Sequence, residues 1–395
     1  MFNLSSQDRT DLTAFLQDLI RIPSPSTQEG EVAARLMEEM RRVGFGEVFT
    51  DRIGNVVGHV GSGEGKKLFI SGHMDTVGVG ERSTWKRDPF GAEIEDGVLY
   101  GRGACDMKGA LAAMVYGIKL LLDAGIELAG DLYVVGTVQE EACEGLGMRV
   151  LVEEEGLRPD FVVLGEATDL QLSRGQRGRM EIKVTTEGRS CHASTPEQGE
   201  NAIYAATRLI FGVEILASQL ANHPFLGPGS IAVTQIESSA PSRNAIPDTC
   251  TLYIDRRLTL GETETQALAE IQKIIAREGI KARIEVTEYR SVSYTGYECK
   301  AKEYFPPWIL DEDHPLVKAA ARAVHKALGY RPRIGRWAFS TDGVYTMGEA
   351  GIPTIGFGPG EERFAHTVDD QVRVADVFAA ARVYAQLAIE VLGAR

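Results

Sequence analysis

Apolar and polar positions alternate in two different ways along the chain, and the change of pattern divides it. In residues 1–176, short apolar runs such as 68–70 and 161–164 alternate with segments such as 111–122, in which apolar residues recur at helical spacing. Strands that alternate with helices are typical of a largely parallel sheet covered on both faces. The pattern therefore predicts an α/β domain with a mostly parallel sheet flanked by helices.

The pattern changes after residue 178, where apolar residues alternate one by one in strands and two helices lie between them. The predicted order is strand 180–186, helix 202–220, strands 230–234 and 250–254, helix 264–277 and strand 283–287. This βαββαβ order is that of a ferredoxin-like α+β domain. Because the first pattern then returns, and 395 residues exceed the usual size of one core, we predict two domains. Residues 1–176 and 292–395 would form a discontinuous first domain, with residues 177–291 inserted into it.

Residue types that bind metal ions follow the predicted strands of the first domain, or precede its helix in a glycine-rich loop. They are His73, Asp75, Asp106, Glu140, Glu141, Glu166 and His366. In an open α/β sheet, ligands bind at the carboxyl ends of the strands. We therefore hypothesise that these residues converge on a pair of metal ions, with Asp106 between them.

Two further roles follow from neighbouring residues. Asp75 lies two residues after His73 and is a candidate to orient the imidazole through its far nitrogen. Of the pair Glu140-Glu141, one carboxylate would ligate metal and the other would act as general base toward a bound water. The alternative for Asp75 alone is a surface aspartate at a strand end, and an adjacent pair of glutamates often marks a solvated face. Their shared placement favours a site.

Composition and charge narrow the class of protein. The net charge of −14, without a long basic run, argues against nucleic acid or an anionic membrane as partner, and no apolar stretch is long enough to span a bilayer. The five cysteines are widely spaced, and residues 1–6 do not resemble a signal peptide, so we expect a cytoplasmic protein without disulfides. Neither a Gly-x-Ser-x-Gly elbow nor a dinucleotide or phosphate-binding glycine motif is present.

Five segments resemble, in order, the signature segments of a known family. They are Gly72-His73-Met74-Asp75, the glycine-rich segment 101–109, Gln139-Glu140-Glu141, Gly165-Glu166 and Ala365-His366. The family is the di-zinc aminoacylase and peptidase family of acetylornithine deacetylase, succinyl-diaminopimelate desuccinylase and the glutamate-releasing carboxypeptidases. The resemblance runs nearly from end to end of the chain.

The resemblance implies a role for each residue of the site. The implied metal ligands are Asp106 as the bridge, His73 and Glu166 at one ion, and Glu141 and His366 at the other. Glu140 would be the general base and Asp75 the partner of His73. A cis peptide bond is implied between Asp106 and Met107.

The inserted domain resembles the lid of this family, which commonly also forms a homodimer. Segment 190–194 matches a lid segment whose histidine, here His192, reaches the partner's active site and helps to bind the developing oxyanion. Asn244 and Arg256 match substrate-contacting residues of the lid. For Arg256 we favour a carboxylate clamp over a surface arginine, because a guanidinium binds a carboxylate through two N–H groups.

The implied activity is metal-dependent hydrolysis of an amide bond in a small N-acyl amino acid or short peptide, by a metal-bridged hydroxide with Glu140 as general base. Two divalent ions are expected, zinc first, although nitrogen and oxygen ligands also suit cobalt and manganese. Three interpretations stay open: a deacylase such as a deacetylase, a dipeptidase or carboxypeptidase with the same site, and a metal-stabilised binding protein without turnover.

Four segments are more narrowly similar to a bacterial subgroup of hydrolases linked to selenium metabolism. They are segments 174–181, 255–259, 304–308 and 339–343. Segment 298–308 departs from the pattern of the deacetylases, so their specificity for acyl amino acids does not carry over directly. The sequence leaves the acyl group and the preferred side chain open.

Overall fold

The computed structural model describes residues 2–395. Within this range the chain forms eight α-helices: α1 (Ser6–Arg21), α2 (Gly30–Val43), α3 (Gly109–Asp123), α4 (Leu146–Arg149), α5 (Ala202–Ala217), α6 (Glu264–Arg277), α7 (Pro315–Leu328) and α8 (Val374–Leu392). In this part of the chain, none of the helices combines the length and the apolar character needed to cross a bilayer.

The strands are between two and ten residues long. In chain order they are β1 (Glu47–Thr50), β2 (Val56–Val60), β3 (Lys67–His73), β4 (Glu93–Glu95), β5 (Val98–Tyr100), β6 (Asp131–Thr137), β7 (Phe161–Leu164), β8 (Leu172–Gln176), β9 (Gly178–Glu187), β10 (Cys191–His192), β11 (Asn222–His223), β12 (Gly227–Pro228), β13 (Ser230–Ser238), β14 (Ala245–Ile246), β15 (Thr249–Leu258), β16 (Ala282–Val286), β17 (Glu288–Val292), β18 (Glu298–Lys302), β19 (Tyr304–Phe305), β20 (Trp308–Ile309), β21 (Ile334–Trp337), β22 (Thr354–Gly356) and β23 (Gln371–Arg373).

The central sheet has nine strands in the order β1-β2-β6-β3-β7-β22-β8-β20, with β21 paired to β8. Its middle strands β6, β3, β7 and β22 run parallel, whereas the pairings of β1, β2 and β20 are antiparallel. The middle strands are buried along almost their whole length, as is typical of strands covered on both faces. The prediction of a mostly parallel sheet is confirmed for the central strands, whereas the strands at the two edges are antiparallel to their neighbours.

Packing against this sheet fixes the position of the loop that precedes α3. Successive residues of β3 point to opposite faces, so that Leu68 and Ile70 join one core with α1, α3 and α8, and Phe69 joins a second core. Gly117 on α3 allows α8 to approach, because a Cβ there would lie 2.7 Å from the carbonyl oxygen of Ala381. Helix α3, which follows the loop of Asp106, thus packs against both β3 and α8.

Strands β9, β13, β15 and β16 form a separate antiparallel sheet in the order β13-β15-β9-β16, and the short strand β19 also pairs with β9. With α5 and α6 the chain order is βαββαβ, so the predicted ferredoxin-like insertion is confirmed. We call residues 178–286 the inserted domain. Its core is built from alternating residues of the strands, including Ile182, Val184 and Ile254, and from the inner faces of the two helices, with Leu209 and Ile271.

A hairpin connects the inserted domain back to the first domain. Strands β17 and β18 follow directly after β16 and pair antiparallel from Glu288 opposite Lys302 to Val292 opposite Glu298. Tyr289, Tyr294 and Cys299 of this hairpin pack against the core of the first domain. We call residues 288–302 the junction hairpin.

Candidate metal centre

The parallel strands of the central sheet end at the same edge. His73, the last residue of β3, is in register with Thr137, the last residue of β6, and on the other side Leu164 of β7 pairs with Ser71 of β3 and Gly356 of β22. The segments that follow these strands therefore leave the sheet side by side. We call this side the carboxyl edge of the central sheet.

Two groups of metal-binding side chains meet at the carboxyl edge, and they share one residue. The groups are His73, Asp106 and Glu166, and Asp106, Glu141 and His366, and within each group the ligand atoms lie within 4.8 Å of one another. Oδ1 of Asp106 is 2.9 Å from Nε2 of His73, and Oδ2 is 3.3 Å from Nε2 of His366. The Asp106 carboxylate thus has one group on each side.

The donor atoms and their charges fit two divalent cations. Nε2 of His73 is 3.8 Å from Oε1 of Glu166, and Nε2 of His366 is 2.8 Å from Oε2 of Glu141. Imidazole nitrogens with carboxylate oxygens suit zinc and other first-row divalent ions. Burial raises the pKa of Glu166 well above its ordinary value, and the nearby Asp106 carboxylate raises it further. Bound cations would compensate this concentration of negative charge.

The loop that carries Asp106 is tied to the segment that carries His366. The Asp370 carboxylate accepts hydrogen bonds from the backbone N–H groups of Gly103, at 2.7 Å, and Cys105, at 2.9 Å, and it pairs with Arg102 at 3.1 Å. The peptide bond between Asp106 and Met107 is cis, as the family resemblance implies. Asp370 was not among the predicted site residues, although it follows His366 by only four positions.

Asp75 contacts the His73 imidazole through its backbone carbonyl oxygen and not, as predicted, through its carboxylate. Nδ1 of His73 donates to the Asp75 carbonyl oxygen at 2.8 Å, whereas the nearer carboxylate oxygen is 3.7 Å away. The Asp75 carboxylate instead accepts the backbone N–H groups of Glu140 at 3.1 Å and Glu141 at 3.2 Å, and the Ser26 hydroxyl at 2.6 Å. Asp75 therefore supports both His73 and the glutamate pair.

Glu140 is buried beside the two groups but is not held by them. Its side chain lines a cavity of about 390 Å³ together with Asp106, Glu141, Glu166 and His366. Within residues 2–395, Oε1 of Glu140 has no hydrogen-bond partner, and burial raises the pKa of this carboxyl well above its ordinary value. A carboxylate oxygen in this position is available to a molecule in the cavity.

The inserted domain closes one side of the cavity with arginines. Arg179 on β9 and Arg257 on β15 are directly opposite each other in the sheet, and both line the cavity. Nη1 of Arg179 is 3.3 Å from Glu144, and Nε of Arg257 is 2.8 Å from Asp255.

A larger cavity of about 520 Å³ lies beside this one and shares Glu362 with it, but none of the candidate metal ligands lines it.

Arg256 does not take the predicted place in the cavity. Its guanidinium is 1% exposed and pairs with Glu262 and, at 3.3 Å, with Glu270. Neighbouring residues of a strand point to opposite faces, so β15 turns Arg256 toward the core of the inserted domain and Arg257 toward the cavity. Arg256 is therefore engaged by glutamates of the inserted domain and is not among the residues that line the cavity.

His192 and Asn244 are close to each other but outside the cavity. They lie on the paired strands β10 and β14 and the turn beside them, where the N–H of Ala193 donates to the Asn244 carbonyl oxygen at 2.8 Å. His192 is exposed, and its Nδ1 is 2.6 Å from the Ser194 hydroxyl. Neither His192 nor Asn244 lines the cavity that contains the candidate metal ligands.

Two adjacent donor groups with a shared carboxylate, and an unpaired glutamate beside them, are the arrangement of a metal-dependent hydrolase with a dinuclear centre. Comparison with known proteins specifies the family. Residues 69–390 match the family described as Peptidase family M20/M25/M40. The chain belongs to this family.

Relatives and solved structures agree with this assignment. The chain is 42% identical over 379 residues to the uncharacterised protein YgeY of Escherichia coli (strain K12), covering 96% of this chain and 94% of YgeY. It is 29% identical over 403 residues to succinyl-diaminopimelate desuccinylase 2 of Ruegeria sp. (strain TM1040), with 98% and 95% covered. The fold is similar to that of the metallo-carboxypeptidase Sso-CP2 from Sulfolobus solfataricus, with a TM-score of 0.75, 19% identity and 98% and 99% coverage. Family membership confirms the prediction of a metal-dependent hydrolase of amide bonds.

Proposed function

We propose that this protein hydrolyses the amide bond of a small N-acyl amino acid or short peptide, with Glu140 as the general base. The observation that carries the proposal is the position of Glu140, buried and unpaired at Oε1, in the same cavity as both groups of candidate metal ligands. A general base must lie within reach of the water that attacks the substrate.

The proposed centre would hold two divalent ions, with the Asp106 carboxylate shared by the two groups of ligands. His73 and Glu166 would complete one site, and Glu141 and His366 the other. We propose zinc as the native metal; imidazole and carboxylate ligands fit it, and they also fit cobalt or manganese. When bound, such ions polarise an amide carbonyl and lower the pKa of water.

Glu140 would move one proton during the reaction. Its carboxylate accepts a proton from the attacking water as the water oxygen bonds to the amide carbon. The same carboxyl then donates this proton to the nitrogen of the leaving amine, and the carbon–nitrogen bond breaks. The products are a carboxylic acid and an amine, so atoms and charge balance without a further reactant.

Arg257 is the proposed binding residue for a carboxylate of the substrate, in place of Arg256. It faces the cavity from β15, and a guanidinium can bind a carboxylate through two parallel hydrogen bonds. Arg179, opposite it, also lines the cavity; its guanidinium pairs with Glu144, as that of Arg257 pairs with Asp255. An amino acid released or retained at this end of the substrate would supply the carboxylate.

We propose further that residues 177–291 act as a lid and form a homodimer. One face of α5 exposes three large apolar side chains, Tyr204, Phe211 and Ile215, which are 68%, 59% and 53% exposed. Such a stripe favours burial against a second copy. In a homodimer, His192 would reach the partner's cavity and stabilise the oxyanion of the reaction, with Asn244 beside it as a substrate contact.

A cytoplasmic location of the protein stays a prediction.

Mixing two inactive variants tests the shared site. His192→Ala lacks the donated histidine and Glu140→Ala lacks the base, so each homodimer should be inactive. After subunit exchange, the heterodimer has one site with both residues intact, and the mixture should regain roughly a quarter of wild-type activity. If the mixture stays inactive although exchange is complete, His192 does not act across a dimer.

A substrate screen with metal analysis tests the reaction itself. The metal-loaded protein is incubated with N-acyl amino acids and with dipeptides, and the released amine is measured. Release of a free amino acid from both sides of the cut would select the dipeptidase or carboxypeptidase alternative over the deacylase. Full metal occupancy without hydrolysis of any of these amides would favour the third interpretation, a binding protein.

A further inference from the structure

Gln139, the residue directly before Glu140, has an unusual backbone conformation. Its φ is 57°, in the left-handed region that residues other than glycine rarely adopt, and its side chain is fully buried. A non-glycine residue keeps such a conformation only when its surroundings determine it. The surroundings of Gln139 therefore bear on where Glu140 points.

The side chain of Gln139 is held by the junction hairpin, about 150 residues further along the chain. Its Oε1 accepts hydrogen bonds from the Tyr289 hydroxyl at 2.8 Å and the Ser291 hydroxyl at 2.6 Å. Its Nε2 donates to Sγ of Cys299 at 3.4 Å. The amide group is thus bonded at both ends to the hairpin.

The backbone of the same segment is held from the other side. The N–H of Gln139 donates to Oε1 of Glu29 at 3.0 Å, and the next two N–H groups donate to Asp75. Three successive peptide groups are therefore fixed by two carboxylates. The side chain of Glu140, in contrast, has a free Oε1, so its direction depends on the backbone that carries it.

We propose that Gln139, Tyr289 and Ser291 are positioning residues for Glu140. The hydroxyls of Tyr289 and Ser291 hold the Gln139 amide, and Gln139 in turn fixes the backbone from which Glu140 projects into the cavity. The inference rests on the proposed function of Glu140 as base. It gives two hydroxyls of the junction hairpin, those of Tyr289 and Ser291, a part in positioning the base, although neither residue lines the cavity.

The double variant Tyr289→Phe with Ser291→Ala removes both hydroxyls and leaves the Gln139 oxygen without its partners. We expect kcat to fall about tenfold or more, a fraction of the full contribution of a general base, with KM and metal content nearly unchanged. Ser291→Thr keeps a hydroxyl and should retain most of kcat.

Tyr294→Phe is the matched control. Tyr294 lies on the same hairpin and is partly buried, but its hydroxyl donates to the Gly54 carbonyl oxygen at 2.7 Å, away from Gln139. This variant removes one hydroxyl instead of two, so it should lose about half as much stability, while kcat stays within about twofold of wild type. Equal kcat in the control and the double variant would overturn the proposal.

A double-mutant cycle separates positioning of Glu140 from a general structural effect. In a Glu140→Asp background the carboxylate is already displaced, so removal of the two hydroxyls should lower kcat much less than in the wild type. An undiminished loss in that background would contradict positioning through Glu140. If Glu140→Asp and Glu140→Ala both keep wild-type turnover, the proposed function fails instead, and the two failures are thus distinguishable.

Discussion

The carboxyl edge of the central sheet and the cavity-facing strands of the inserted domain both contribute to the cavity, but their residues are placed by different rules. At the carboxyl edge, a candidate ligand such as His73 or Glu166 lies where a buried strand stops, and the strand ends are adjacent because the strands are parallel. On β15, position depends on which face a residue occupies, so that Arg256 and Arg257 differ completely in their surroundings. The first rule gives the edge of the sheet at which a residue lies, whereas on β15 a shift of one residue moves the side chain to the opposite face of the sheet.

The largest expected effect is at the carboxyl edge. Glu140→Ala should lower kcat about a thousandfold or more, because the attacking water loses its proton acceptor. The variant should still bind two metal ions per chain, since the proposed ligands are unchanged. Steady-state kinetics and elemental analysis of the same sample measure both. Turnover near that of the wild type would remove Glu140 from the mechanism.

The next largest effect is expected in the inserted domain. Arg256→Ala leaves Glu262 and Glu270 without their buried partner, and breaking such a pair costs about 3–5 kcal/mol of folding free energy. Denaturant unfolding followed by a probe in the inserted domain measures the loss. KM of the folded variant should be close to that of the wild type. A large rise in KM with unchanged stability would restore Arg256 as a substrate contact.

Arg257→Ala should give the opposite result. Without the guanidinium that faces the cavity, KM for a substrate with a carboxylate should rise about thirtyfold. The effect on stability should be small, because the ion pair of Arg257 with Asp255 is partly exposed. Thermal unfolding and kinetics with a substrate that lacks the carboxylate serve as controls, and that substrate should not distinguish the variant from the wild type.

The smallest effect concerns the buried carboxylate behind the glutamate pair. Burial raises the pKa of Glu29 to about 7, and the charge of Asp75 adds to the shift. Since the folded state holds this proton more tightly than the unfolded state, the contribution of Glu29 to stability is greatest below pH 4.5 and is lost as the pH rises to about 7.

Glu29→Gln should therefore flatten the fall in stability between pH 5 and 6.5 by about 1 kcal/mol per pH unit. Its side-chain oxygen can still accept the N–H groups of Thr27 and Gln139. Unfolding free energies of both proteins, measured across this range, test the shift. Parallel curves for the two proteins would show that Glu29 does not titrate there.

Much of the carboxyl edge could be predicted, because the local pattern of apolar and polar residues shows where each buried strand ends. Long apolar runs mark strands buried on both faces, and polar residues just after them must lie at one edge. The alternation of Leu252, Ile254 and Leu258 also contains the signal that was missed, since it places Arg256 on their buried face. An arginine is not expected at a buried position of a strand. Its place on the buried face is explained only by its partners Glu262 and Glu270.

The rest could not be predicted, because it depends on contacts between distant segments. The hold of Asp370 on the loop of Asp106 and the bonds from the junction hairpin to Gln139 join residues that are about 265 and 150 positions apart. Hydrogen bonds of this kind leave no periodic trace in the sequence. Likewise, the choice of the Asp75 carbonyl over its carboxylate is a matter of local geometry that residue types do not determine.

The central claim is that two ions lie at the carboxyl edge, one on each side of Asp106. An anomalous-difference map from crystals of the zinc-loaded protein tests it most directly. The account predicts two peaks per chain, one beside Nε2 of His73 and one beside Nε2 of His366, with the Asp106 carboxylate between them. A single peak, or peaks elsewhere in the molecule, would contradict it.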